Sequence, residues 1–164
     1  MPYELKDLVD LERYPIDDLD RVGATLLQSC QKSLAEGAMC HLPDFVKPEA
    51  LAVMQGEASA LRDQTYWMDV ERRAYSWRNP DDYPQGHPVT ITTPNLIGSI
   101  TKDSFPKQGA FVSIFEQLAL TEFVRRCLNL ESLHPVACPY LAANVKVMSQ
   151  GCRHAWHFDQ NDGA

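Results

Sequence analysis

The chain has 164 residues and a formal net charge of -7, with 45% hydrophobic and 23% charged residues. That is enough apolar material for a domain with a real core. The acidic balance excludes a nucleic-acid binder, which needs a basic face, and a surface held by anionic lipid.

Residues 1–16 are polar and irregular and read as a surface lead-in. From Asp17 to Glu36, Leu19, Val22, Leu26, Leu27, Cys30 and Leu34 recur at helical spacing. The spacing predicts a helix, with Asp17 or Asp18 as its cap and Gly37 just past its end. Ala38–Leu42 reads as a short strand. A second helix is expected from Pro48 to Arg62, with Pro48 in its first turn and Leu51, Met54, Ala58 and Leu61 buried. Thr65–Trp77 is rich in aromatics and reads as a strand.

Arg78–Pro88 carries Asn79-Pro80, Asp81-Asp82, Pro84 and Gly86, and reads as a loop. Val89–Thr93 alternates as a short strand, and residues 94–106 fit no single pattern. Gln108–Leu130 is the most apolar helical region, with Thr121 as cap to a second segment from Glu122. Ala143–Met148 alternates as a strand, and Ser149-Gln150-Gly151 reads as the turn of a terminal hairpin. No repeat or linker interrupts residues 1–164, so a single domain is expected. Helices first and strands later make an α+β pattern, with the sheet beginning near residue 138.

No run of eighteen apolar residues occurs, so no membrane-spanning helix is expected. The first residues lack the apolar stretch of a signal peptide. Five cysteines without a C-x-x-C spacing fit reduced thiols in the cytoplasm better than a disulfide frame.

Chemistry concentrates at Gly151-Cys152-Arg153-His154-Ala155-Trp156-His157-Phe158-Asp159-Gln160-Asn161-Asp162. On a strand, residues two apart share a face, so His157 and Asp159 would converge on one point. One imidazole and one carboxylate are two thirds of the 2-His-1-carboxylate set that holds non-haem Fe(II) and leaves positions open. The alternative is a strand with one buried His and one surface Asp. His154 lies three before His157. On a regular strand it takes the opposite face, whereas on a bulged or coiled stretch it faces the site. Asn161 and Asp162 either bind a polar or cationic substrate or make an Asx turn. Arg73 and Arg78, beside Trp77, either clamp a carboxylate or make surface ion pairs with Glu71, Asp81 and Asp82. Core or loop roles are expected for His41, His87 and His134.

The terminal stretch resembles the metal-binding strand of iron(II)/2-oxoglutarate-dependent oxygenases, in the manner of the group that holds amino-acid hydroxylases and the radical halogenases of free amino acids. The order of helix, short strand, Leu42-Pro43-Asp44-Phe45 turn and helix is similar to the front of such proteins. The resemblance implies a double-stranded β-helix (jelly roll) whose mouth carries Fe(II), held here by His157 and Asp159. It implies 2-oxoglutarate as cosubstrate, O2 and a small-molecule substrate such as a free amino acid, a substrate contact at His154 and a cosubstrate contact at Asn144. Asn144 reads equally as a β-edge position. Halogenating relatives have Gly or Ala where Asp159 stands, so a hydroxylase is implied. The family's distal His and its 2-oxoglutarate-binding Arg would lie beyond Ala164. The chain is therefore expected to be the N-terminal part of an oxygenase domain, truncated before the jelly roll closes, with little turnover alone. Two other readings are a non-catalytic remnant or interaction module, its apolar edges covered by a partner such as a second copy in a homodimer, and a zinc site from His154, His157 and Asp159.

Overall fold

The structure is a computed structural model, and it describes residues 2–37, 39–138 and 140–158. It is α+β, with helices and one small three-stranded antiparallel sheet. The chain divides into two compact units. One comprises the residues up to Leu61 with Thr101–Ala143, the other Arg62–Ile100 with the chain from Asn144 on.

The first unit is helical: α1 (Leu5–Leu8), α2 (Ala24–Gly37), α3 (Pro48–Ala60), α4 (Ala110–Phe115) and α5 (Leu118–Cys127). Its core includes Leu8, Val9, Tyr14, Ile16, Leu27, Cys30, Ile114 and Phe123. Four of these come from the first sixteen residues, so that stretch is not a surface lead-in. Its apolar residues are scattered among charges, which hides them from a windowed average. A reciprocal capping box between Glu4 and Asp7 closes the single turn of α1. Val9 then bridges Val46, with Asp10 N donating to Phe45 O at 3.1 Å and Lys47 N to Leu8 O at 2.9 Å.

The first long helix starts at Ala24, seven residues later than expected. Gly23 explains the delay. A Cβ there would sit 2.4 Å from the Pro15 carbonyl oxygen, and its N–H donates to Asp18 O at 2.8 Å. Residues 17–23 are therefore turns wound around that contact, and Val22 points outward. Residues 39–42 form no strand, although Cys40 and Leu42 still pack on the core. The second long helix buries Ala50 and half-buries Met54, while Leu51, expected inside, is exposed. The long apolar region breaks at Glu116–Gln117, so its second helix starts at Leu118 rather than Glu122. Burial, reinforced by the neighbouring thiols of Cys40 and Cys127, pushes the Cys30 thiol up, so it stays protonated.

Glu57 on α3 caps α4. Its carboxylate accepts from Ala110 N at 2.8 Å and Phe111 N at 3.0 Å, satisfying two open donors of that helix. Glu57→Ala should destabilise the protein by about 1–2 kcal/mol. A urea midpoint equal to that of the parent chain would sink this assignment.

The second unit holds β1 (Tyr66–Arg73), β2 (Thr92–Thr101) and β3 (Asn144–Val147), in the order β1-β2-β3. The sheet therefore begins at residue 66, well before residue 138. β1 and β2 pair antiparallel, with Tyr66 opposite Ser99 and Arg73 opposite Thr92. Residues 88–90, expected to open a strand, form a 3-10 turn capped by His87, whose Nδ1 accepts from Val89 N at 3.2 Å. Pro94 sits within β2 opposite Glu71 without breaking the ladder. Leu96 spends both its backbone groups on Arg153, so Pro94, two residues away, also turns its missing N–H away from β1. At Gly98 the backbone runs close to Thr65, Trp67 and Val147, and a Cβ would meet them at 2.4, 3.2 and 3.1 Å.

Candidate metal centre

The terminal segment is laid along β2. Lys146 Nζ donates to Ser99 Oγ at 2.9 Å, and Arg153 pairs antiparallel with Leu96 through two bonds of 2.8 and 2.9 Å. As the chain advances from 146 to 153, its partner on β2 retreats from 99 to 96. Between them, residues 149–152 loop out. Gly151 takes φ +90, where a side chain would be strained, and Cys152 N donates to Ser149 O at 3.0 Å. The turn forms as expected, but it is not a hairpin turn. The residues after it pair with β2 instead of folding back on β3.

After Arg153 the ladder stops, and residues 154–158 have no strand assignment. One side chain takes over. Ala155 N donates to Asn95 Oδ1 at 3.0 Å, and both residues are buried. Ala155 O in turn accepts from His157 Nδ1 at 2.9 Å. A carbonyl only accepts, so in this bond Nδ1 is the donor.

His154 and His157 come together, with ring centroids 4.5 Å apart and planes inclined at 33°. The period-two rule would have separated them, but it holds only on a regular strand. Both imidazoles are exposed. Beyond them Phe158 joins Tyr75 and Trp77 in an aromatic cluster, with centroid separations of 5.2 to 5.7 Å. Trp156 is 82% exposed.

Asp159, Asn161 and Asp162 lie outside the described residues. Arg73 ends β1, two residues before Tyr75, and is half-buried. Among the described residues neither Arg73 nor Arg78 makes an ion pair with Glu71, Asp81 or Asp82. Asn144 opens β3, two residues before the one that bonds Ser99. That register sets it about 20 Å along β2 from Asn95, at roughly 3.3 Å per residue. The structure does not bring Asn144 to the imidazole pair. Among the described residues no three His, Cys, Asp or Glu side chains converge on one point, and no helix is long and apolar enough to cross a membrane.

Asn95 is the residue that sequence reasoning missed. It lies where residues 94–106 gave no clear pattern, and a buried Asn carries no mark in sequence that separates it from a turn Asn.

Two imidazoles side by side are the type of donor that borderline divalent ions take. No protein-family model matches the chain, and no curated protein matches it.

Proposed function

We propose that the chain carries the iron-binding strand of an Fe(II)- and 2-oxoglutarate-dependent dioxygenase of hydroxylase type. In this reading His157 and Asp159 hold iron, His154 faces the substrate, and the sheet is the start of a double-stranded β-helix. The observation that carries it is the bond from His157 Nδ1 to Ala155 O, the kind of outer bond that orients a metal-ligating imidazole. The motif resemblance supplies the carboxylate partner.

Iron bound there supplies O2 chemistry, with 2-oxoglutarate as the source of electrons. The protein's own part is to orient. Asp159 would supply a carboxylate where halogenating relatives have Gly or Ala, which directs the reading to hydroxylation. Arg73 is the cation offered to a carboxylate of substrate or cosubstrate, while Asn161 and Asp162 are offered to its polar groups. The substrate class is a small molecule such as a free amino acid. A cytoplasmic setting belongs to the same reading.

The test is anaerobic binding of Fe(II) to the 164-residue chain, with and without 2-oxoglutarate. Binding that tightens with 2-oxoglutarate is the expected result, together with little succinate release from this chain alone. Tight zinc binding indifferent to 2-oxoglutarate would overturn it.

His154 allows a sharper division. Its ring centroid lies 4.5 Å from that of His157, near enough for His154 to be tested as a second ligand. As a substrate contact, His154 should tolerate replacement by alanine with only a few-fold loss of Co(II) affinity. A loss as large as that from His157→Ala would reassign it as a ligand.

A second reading, a non-catalytic interaction module, is favoured by the exposure of large apolar side chains in the sheet unit, Tyr66 at 68% and Trp156 at 82%. A second copy of the chain is then the partner, and absence of any divalent-metal binding together with a dimer in solution would favour this reading.

A further inference from the structure

We infer that Asn95 is the positioning residue of the candidate metal centre, acting on His157 through Ala155. The inference rests on the metal reading only for its affinity consequence. Its structural basis is independent of any metal.

Three constraints hold residues 153–157 in sequence. Leu96 fixes Arg153 through two backbone bonds. Asn95 Oδ1 fixes the N–H of Ala155 at 3.0 Å. Ala155 O fixes His157 Nδ1 at 2.9 Å. Among the described residues the ladder ends at Arg153, and the carboxamide of Asn95 stands where a strand partner would for the N–H of Ala155. It must face Ala155 with its oxygen, because its nitrogen would set donor against donor. Each imidazole is then one or two residues from the anchored alanine, and the acceptor that selects the His157 tautomer is held by the same residue.

The amide nitrogen argues that this is more than packing. Asn95 is 0% exposed, and its Nδ2 meets no acceptor among the described residues. A buried, unsatisfied donor is a cost to folding. A leucine of similar size would remove that donor but leave the buried Ala155 N–H without its acceptor, one unsatisfied donor in place of another. Holding Ala155 requires an oxygen at this position.

The test compares Asn95→Leu with Asn95→Asp in the full chain. The readouts are the 15N pattern of the His157 imidazole and the affinity for Co(II). Asn95→Leu should fold with a similar urea midpoint, lose the Nδ1-protonated pattern, and bind Co(II) about 10–100-fold more weakly, the usual cost of losing a group behind a ligand. Asn95→Asp, which keeps an acceptor oxygen, should retain the pattern. Should the parent chain bind no Co(II), the metal reading fails while the 15N comparison still decides the positioning role. If Asn95→Leu keeps the parent pattern, or folded Asn95→Asp loses it, Asn95 does not position His157. If Asn95→Leu does not fold, Asn95→Asp alone decides by the same criterion.

Discussion

His157→Ala is expected to weaken Co(II) or Fe(II) binding more than 100-fold while leaving the urea midpoint nearly unchanged. Losing an outer hydrogen-bond partner of a ligand costs about 10–100-fold in affinity, and losing the ligand itself removes a bond to the metal. The stability effect should be small because the ring is exposed. Trp156 is adjacent and 82% exposed, so quenching of tryptophan emission by Co(II) reports binding at this point. Retention of parent-like affinity would remove His157 from the metal and with it the oxygenase reading. A large drop in the urea midpoint would instead show that the imidazole holds the segment together.

The local chemistry of this segment was legible in the sequence, and its geometry was not. The turn at residues 149–151 follows from Gly151, whose φ of +90 suits glycine. The path beyond it is open in the sequence between a regular strand and a bulged or coiled stretch. On such a strand His154 and His157 face opposite ways. In the structure the ladder ends at Arg153, one side-chain bond from Asn95 replaces it, and the two rings meet. A single buried carboxamide thus decides what a periodicity rule cannot.

The helical unit follows the same division. The bodies of α2 and α3 were legible from their apolar spacing. Their ends and buried faces were set by contacts outside the helices themselves, such as the close approach of Gly23 to the Pro15 carbonyl. Leu8 and Val9, fully buried, escaped notice because charged neighbours mask isolated apolar residues in a short stretch. The long strand β2 was missed for a different reason. Pro94 speaks against a strand in sequence, and only the edge it turns away from β1 makes it tolerable.

The same strand carries the second large effect. Gly98→Val should destabilise the sheet unit by about 2–3 kcal/mol, the cost of forcing extra atoms into a filled space. An ideal Cβ at Gly98 would lie 2.4 Å from Thr65 Cγ2, 3.1 Å from Val147 Cβ and 3.2 Å from Trp67 Cζ3. Three neighbours must give way at once, and two of them belong to the strands on either side. The strand preference of valine returns about 1 kcal/mol at most, which does not offset the clash. Gly56→Ala is the control, since nothing lies within 4 Å of its would-be Cβ in α3 and the change should raise stability by about 0.5–1 kcal/mol. Gly98 is two residues from Leu96, which holds Arg153, so displacement of β3 should also reach the imidazole pair. Gly98→Val is therefore expected to lower the urea midpoint and weaken Co(II) binding together. A parent-like midpoint would mean that the strands part without cost at this point, and that the close approach at Gly98 does not hold the sheet.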